Sequence, residues 1–254
     1  MAKKPKRGQV SAAISGQATV TSQLQMLVFV NLARYHLRSA CGLARFAYPL
    51  ERGSSAHEPG MEREEHDTFL VAALIFAGAF VDGEINSLYA MAAEASQPDA
   101  LPMPMRGPVR DDMAAFFAGK QYRGMGTIPK YQHLLELAGT ARLPTSGAER
   151  TNVRRLLGIR NALVHYGQGP VLTSTGGPAA APMGQFEGEL SALGISRSPW
   201  ASVNDPFFPR SMLSHQLAAT AIDWAVAWVD AFYAQLGVTT SPLDAMRADI
   251  RTGP

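Results

Sequence analysis

The chain has 254 residues, of which 46% are apolar and 8% aromatic, and its formal net charge is +2. This length suffices for one large domain or two small ones, and abundant alanine with few aromatic residues favours packed helices over a β-sandwich. The weak positive charge permits a polyanionic partner but argues against a dedicated DNA-binding domain, which is usually more basic. Cys41 is the only cysteine, so no disulfide forms within the chain and a reducing compartment is expected, with Cys41 a small buried hydrophobe.

The N-terminal residues 1–17 are basic at their start and have no apolar stretch directly after it, so they are not a secretory signal. We interpret them as a solvated tail, with a non-specific nucleic-acid contact arm as the alternative. The first predicted helix is Thr21–Ala40, which Thr21 or Ser22 is able to cap. Its apolar positions recur at helical spacing, and Arg34 and Arg38 form a basic pair four residues apart.

A polar loop is predicted over residues 51–65, followed by the longest helix, about His66–Ala95. Because residues 68–81 are almost wholly apolar, this helix is expected at the centre of the bundle. Polar residues between Asp82 and Asn86 interrupt the apolar run. Such groups need partners, so they are expected to face solvent or to form a buried network.

Two apolar segments are candidates for membrane spans. Phe69–Val81 is too short to cross a bilayer. Leu217–Leu236 is long enough, but Asp223 and Asp230 lie seven residues apart on one face, which indicates an amphipathic core helix. The sequence therefore predicts a soluble, cytoplasmic protein with no membrane partner.

The middle of the chain alternates between loops and shorter helices. Four prolines predict a loop over residues 97–110, and a short helix is predicted at Asp111–Ala118. The glycine-rich segment Gly119–Gly126 lacks the spacing of a phosphate-binding P-loop. The third main helix is predicted at Ile128–Ala138, because Gly139 provides a stop.

The fourth main helix is predicted to begin near Ser146 or Gly147, where Ser146 and Glu149 have capping-box spacing, and to end near Tyr166. Gly167, Gly169 and Pro170 prevent its continuation.

Residues 167–206 form a long loop or insertion with a weak helix at Met183–Leu193. The last helix is predicted at Arg210–Leu236. We therefore predict a single all-α domain over residues 18–240, with a C-terminal tail over residues 241–254.

The most informative segment is Ile-Arg-Asn-Ala-Leu-Val-His-Tyr at residues 159–166. Asn161 and His165 are four residues apart, so they lie on one helical face, and Arg160 is close enough to reach the same site. Arginine is always charged, whereas imidazole titrates near neutrality. One group is thus suited to hold a phosphate while the other moves a proton, which is phosphodiester chemistry without a metal.

This segment resembles the Arg-x4-6-His motif of the HEPN superfamily, in the Arg-Asn-x-x-x-His form of its ribonuclease members. Arg160 matches the motif arginine, Asn161 the polar residue after it, and His165 the motif histidine. The string Phe80-Val-Asp-Gly-Glu-Ile-Asn86 is also similar to an element on an early helix of several HEPN-like proteins. The resemblance covers about residues 20–167 and the last helix, and it implies a HEPN-type helical bundle with long loop insertions.

The resemblance also implies a mechanism. Two protomers of a homodimer would bring their motif helices together, and the ribose 2′-hydroxyl of RNA would act as the nucleophile. His165 would serve as general acid or base, Arg160 would hold the phosphate, and Asn161 would orient either of them. No cofactor and no metal are expected. The family further suggests a role in stress response or anti-phage defence, with an antitoxin or regulatory protein as a possible partner.

One departure from the family concerns regulation. Some toxin members carry a tyrosine two places after the histidine, where an antitoxin modifies it. Here Tyr166 follows His165 directly and Gly167 occupies the second place, which puts that form of regulation in doubt.

Other residues are candidates for supporting the motif. They are Glu84, Asn86 and Tyr166, and the structural alternative for Glu84 and Asn86 is that they tie helices together. RNA-binding candidates are basic residues on the first and fourth main helices: Arg34, Arg38, Arg154 and Arg155.

The rival hypothesis is a catalytically inactive HEPN-like module that binds RNA or protein. In that case Arg160 would pair with an acidic residue such as Glu84, and His165 would cap the helix end. A motif buried within one protomer would favour this alternative, and an exposed groove at a two-fold axis would favour the nuclease.

No metal site is expected elsewhere. The acidic loop between His57 and His66 lacks the His-Glu-x-x-His spacing. His36, His133 and His215 lack partners at ligand spacing, and each is interpreted as a surface or interhelix histidine.

Overall fold

A computed structural model describes residues 32–53, 61–94, 101–165, 181–202, 204–205, 207–238 and 243. Over these residues the fold is all-α, as predicted, and no strand occurs among them. The proposed tail at 1–17, residues 241–242 and 244–254, Tyr166, and residues 167–180, 203 and 206 of the predicted insertion lie outside the described residues.

The helices are named here in chain order. They are α1 (residues 32–51), α2 (Met61–Ala93), α3 (Pro108–Ala118), α4 (Lys120–Gly124), α5 (Thr127–Leu137), α6 (Ala148–Val164), α7 (Ala181–Ala192) and α8 (His215–Gln235). Two 3-10 turns, Met103–Met105 and Arg210–Met212, precede α3 and α8.

Helix α2 is the central element of the bundle. It packs against α3, α5, α6 and α8, and α6 packs in turn against α8. Helix α1 approaches α2 closely at Gly83, where an added Cβ would lie 3.3 Å from the Cβ of Ala33. The core between these helices contains large aromatic side chains: Trp228 and Phe232 of α8 meet the Tyr131 ring edge-to-face at centroid distances of 5.5 and 4.8 Å.

Helix α2 is also long and apolar enough to cross a membrane, judged by length and composition alone over Glu62–Ala93. Half of its most apolar window is buried within the fold. Because α2 contacts four other helices and carries hydrogen-bonded polar groups, its packing is that of a core helix.

Several helix boundaries differ from the prediction. Helix α1 does not stop at Ala40 but continues to residue 51, and α2 begins at Met61 instead of His66. Helix α4 lies in the segment interpreted as a glycine-rich loop; Tyr122 anchors it by contacting the rings of Tyr89 and Phe116.

The predicted start of α6 near Ser146 or Gly147 is confirmed, but its predicted capping and the predicted start of α8 are not. The N-cap of α6 is Gly147, and no side chain caps it, so the capping box is wrong. Helix α8 begins at His215 instead of Arg210, because the Ser214 side chain accepts a hydrogen bond from the Leu217 amide. Helix α7 occupies the place of the weak helix predicted at Met183–Leu193.

Candidate functional site

The C-terminal half of α6 carries the three motif residues. Val153, Leu156 and Ile159 form its buried face, which packs into the bundle. Arg160, next to Ile159, is half-buried, and Asn161 is exposed. His165 is the C-cap and is also exposed; its amide donates to the carbonyl of Asn161 at 2.9 Å. The motif residues thus lie at one accessible end of the helix.

The Arg160 guanidinium is held from two sides. Its Nη2 lies 2.9 Å from Oδ2 of Asp82 on α2, with side-chain exposures of 28% and 23%. Its Nη1 donates to Oδ1 of Asn161 at 2.9 Å. The remaining Nε is buried and has no hydrogen-bond partner among the described residues. The orientation of the charged group is therefore fixed within one chain.

A glycine on α2 makes room for the Arg160 side chain. A Cβ added at Gly78 would lie 3.0 Å from Cγ and 3.1 Å from Cβ of Arg160, closer than ordinary contacts. Gly78 and Asp82 are four residues apart and share one face of α2. That face therefore supplies both the space for the alkyl stem and the carboxylate for the guanidinium.

The same face of α2 continues into a polar network with α4 and α5. Asp82 Oδ1 accepts a hydrogen bond from the Thr127 hydroxyl. One turn further, Asn86 Oδ1 accepts from the Tyr122 hydroxyl at 2.6 Å and from Lys130 Nζ at 2.9 Å. Lys130 Nζ also lies 4.0 Å from the centre of the Tyr122 ring. Arg160 thus lies at one end of a row of polar side chains that forms two hydrogen-bonded groups, one around Asp82 and one around Asn86.

The network perturbs two of its own titratable groups. Burial lowers the pKa of Lys130, and the nearby Asp82 charge partly opposes this. Burial, together with the charge of Asp82, raises the pKa of Tyr122 to about 12. Both effects follow from removing a charged form from water in a polar but partly enclosed region.

Glu84 belongs to a different contact. It accepts a hydrogen bond from the Tyr233 hydroxyl of α8 at 2.5 Å and is buried. Burial raises its pKa, while the hydrogen bond from Tyr233 and the charge of Arg34 oppose the rise. Glu84 and Asn86 therefore join helices, in line with the structural alternative for these two residues. The acidic partner of Arg160 is Asp82 and not Glu84.

The predicted RNA-binding residues are spread over the surface. Arg34 is half-buried, and Arg38 is exposed. Arg154 is exposed. Arg155 Nε forms an ion pair with Oε2 of Glu189 in α7 at 2.7 Å, and its Nη1 donates to Oδ1 of Asn152 at 3.0 Å. Tyr166 lies outside the described residues.

Sequence reasoning missed three residues of the site: Asp82, Thr127 and Lys130. The spacing of Asp82 and Asn86, four apart on one long helix, was an available signal for a shared polar face. No sequence signal pointed from α2 to the two α5 residues, since that juxtaposition depends on how helices cross.

No group of three or more histidine, cysteine or acidic side chains suited to a metal ion occurs in the described part of the chain. No protein-family model, curated protein or solved structure matches the chain significantly. The function of the candidate site is therefore inferred from its residues and their contacts.

Proposed function

We propose that this chain is a metal-independent endoribonuclease of the HEPN type that acts in the cytoplasm as a homodimer. The observation that carries the proposal is that Arg160, Asn161 and His165 lie together at the exposed end of α6. Asp82 of α2 orients the guanidinium of Arg160. A fixed cation and an accessible imidazole at the same end of one helix are the groups that general acid–base cleavage of a phosphodiester requires. Stress response or anti-phage defence, with an antitoxin or other regulator, is the setting that the family resemblance suggests.

The chemistry follows from these three side chains. The ribose 2′-oxygen attacks the adjacent phosphorus, the bond to the 5′-oxygen breaks, and the products carry a 2′,3′-cyclic phosphate and a 5′-hydroxyl. His165 takes the proton from the 2′-hydroxyl or gives one to the leaving oxygen, and in a dimer two copies share these tasks. Arg160 stabilises the charge on the non-bridging oxygens. DNA lacks the 2′-hydroxyl and is not a substrate.

Asp82 is a positioning residue in this mechanism. It engages Nη2 of Arg160 and accepts from Thr127, so the guanidinium is oriented before RNA binds. Each Nη atom carries two hydrogens, and the contacts to Asp82 and Asn161 leave one on each for a phosphate. Preorganised donors of this kind need no rearrangement when charge develops.

The proposed dimer brings two motif helices together. Val164, next to His165, is 50% exposed, which leaves an apolar side chain at the edge of the site. We expect a Val164→Asp substitution to shift the protein towards monomer in light scattering coupled to size exclusion, and to reduce cleavage in parallel.

The deciding experiment is cleavage of a labelled structured RNA in EDTA. Wild type is expected to cut and to leave 2′,3′-cyclic phosphate ends. Arg160→Ala and His165→Ala are expected to lower the rate by about 10²-fold or more, because each removes a group that acts in the transition state. Arg160→Lys keeps the charge but loses the planar guanidinium, so its cleavage rate should lie between those of wild type and Arg160→Ala.

Arg197→Gln is a matched control, since Arg197 is an exposed arginine paired with Glu187 and lies outside the motif. It should cut as wild type does. Circular dichroism and light scattering establish equal fold and oligomeric state for all variants. An inert wild type, or motif variants that cut as fast as wild type, would contradict the proposal.

A second candidate function is a non-catalytic module that binds RNA or a protein. The Arg160–Asp82 ion pair favours it, because this contact already compensates the motif charge within one chain. In that case Arg160→Ala would change binding in a gel-shift or pull-down assay while no RNA was cut by any variant.

A further inference from the structure

A separate cavity lies at the other end of α6, between α5 and the α5–α6 loop. Its volume is about 280 Å³, close to the lower end of known small-ligand pockets. Its lining includes residues of α5, the loop residues Arg142 and Thr145, and Arg150 in the first turn of α6. None of the motif residues contributes to it, so it is distinct from the candidate nuclease site.

The charges around the cavity are unequally compensated. Arg142 forms an ion pair with Glu136, and His133 Nδ1 lies 3.7 Å from the same carboxylate. Arg150 has no acidic partner in the described part of the chain, and its Nε is buried without a hydrogen-bond partner there. Arg150 thus lines the cavity with a positive charge that no acidic side chain in the described part of the chain neutralises, so an anionic ligand is favoured at this position.

Part of the cavity lining is apolar. Met125, Ile128 and Pro129 line it, and the first two are half-buried. A ligand that fills the cavity would place its charged group against Arg150 and its hydrocarbon part against this wall. Apolar lining with a few directed polar groups is typical of sites for small organic molecules.

The cavity wall is held in place by a buried glutamine. Gln132 Oε1 accepts from the Leu143 amide at 2.9 Å, and Gln132 Nε2 donates to the Leu143 carbonyl at 3.4 Å. Both polar atoms of the Gln132 side chain are thus committed to the loop, and they fix Arg142 and its neighbours relative to α5.

We propose that this cavity binds a small organic anion, in which a carboxylate or phosphate is held by Arg150 and an apolar body packs on Met125, Ile128 and Pro129. Guanidinium groups bind both oxyanions through paired hydrogen bonds. Arg150 is therefore the residue that determines selectivity for an anion over a neutral molecule of the same shape. This site is independent of the proposed ribonuclease activity.

Three probes with one aromatic body test the proposal: benzoate, phenyl phosphate and neutral benzamide. Binding is followed by chemical-shift changes of the full-length protein during titration. At least one of the two anions is expected to bind saturably, with shifts that include Ile128 and Arg150, and benzamide to bind more weakly by roughly tenfold or more. The stronger anion identifies the head group.

Three variants complete the test. Arg150→Gln should weaken binding of the anion by roughly tenfold or more, and Arg150→Lys, which keeps the charge, should weaken it less. Arg197→Gln, an exposed arginine outside the cavity, should leave it unchanged. Absence of saturable anion binding to wild type, equal binding of benzamide, or undiminished binding by Arg150→Gln would each overturn the proposal.

Discussion

Arg150 and Arg160 lie ten residues apart on α6 and are both half-buried, with an Nε that has no partner in the described part of the chain. They differ in what faces the rest of the guanidinium. Arg160 meets the carboxylate of Asp82 and the amide of Asn161, whereas Arg150 faces a cavity. The contrast separates an arginine whose orientation is fixed by the fold from one whose charge is left for a ligand.

This difference bears on how each arginine binds an anion. A phosphate at Arg160 shares the guanidinium with Asp82, so the gain in binding is reduced by a nearby negative charge, but the geometry is preset. An anion at Arg150 meets no carboxylate paired with that guanidinium, because the carboxylate of Glu136 in the same cavity is paired with Arg142. A preoriented guanidinium such as that of Arg160 favours stabilisation of a transition state. An arginine without an acidic partner, such as Arg150, favours binding of an anionic ligand.

The largest expected effect separates the two arginines by their contribution to stability. Arg160→Met should lower the free energy of unfolding by about 1–2 kcal/mol, because it leaves Asp82 without its cation. Arg150→Met keeps a similar stem and removes an unmet donor, so the free energy should change by about 0.5 kcal/mol or less. Urea denaturation followed by circular dichroism measures both.

Asp111 provides the control for this comparison. It pairs with Arg110 at 3.0 Å, but its side chain is 69% exposed, so Asp111→Ala should change stability by less than about 1 kcal/mol. Equal losses in the two arginine variants would show that the ion pair with Asp82 adds no measurable stability.

A smaller effect is expected beneath Arg160. Glycine-to-alanine substitution inside a helix usually stabilises it by about 0.5–1 kcal/mol. Gly42→Ala of α1 should show this gain, because its Cβ would meet nothing within 4 Å. Gly78→Ala should not, since its Cβ would meet the Arg160 stem at 3.0 Å, and cleavage should fall as the guanidinium shifts. A stabilised and fully active Gly78→Ala variant would contradict the close approach.

The smallest effect concerns Glu84, which lies two residues after Asp82 and has no arginine at ion-pair distance among the described residues. Burial raises the folded-state pKa of Glu84 above its ordinary value of 4.5. The protonated side chain therefore makes its full contribution to the free energy of unfolding below pH 4.5, and this contribution is lost as pH rises through the folded-state pKa. Glu84→Gln keeps an acceptor for Tyr233 and cannot ionise. Its unfolding free energy should therefore fall less than that of wild type as pH rises above 4.5. Parallel pH profiles would rule out the raised pKa.

The sequence predicted the local part of the site and not its long-range part. Helical spacing alone brings Asn161 and His165 to one face of α6, and this holds whatever the helix packs against. The acid opposite Arg160 could not be chosen in the same way. Asp82 and Glu84 are about 200° apart around α2 at about 100° per residue, and only the crossing of α2 with α6 decides which one faces the arginine.

The fold shows the same division. The all-α class and the helix positions follow from the long apolar run of α2, from apolar periodicity in α5 and α6, and from glycine and proline stops. Helix α4 was missed because five residues between Gly119 and Met125 carry no periodic signal, and the contacts of Tyr122 with Tyr89 and Phe116 determine it. Helix α1 passes through Gly42 and Pro49, because buried neighbours such as Cys41 and Ala44 outweigh their low helix propensity.

The double hydrogen bond between Gln132 and Leu143 has a kinetic consequence for the cavity. Because the loop is already tied to α5, the entropy of ordering this wall is lost when the chain folds and not when a ligand arrives. Association is then a single bimolecular step whose rate depends on diffusion and orientation, without a preceding slow opening. Differences in affinity among ligands of this cavity will accordingly reside in how long each one stays bound.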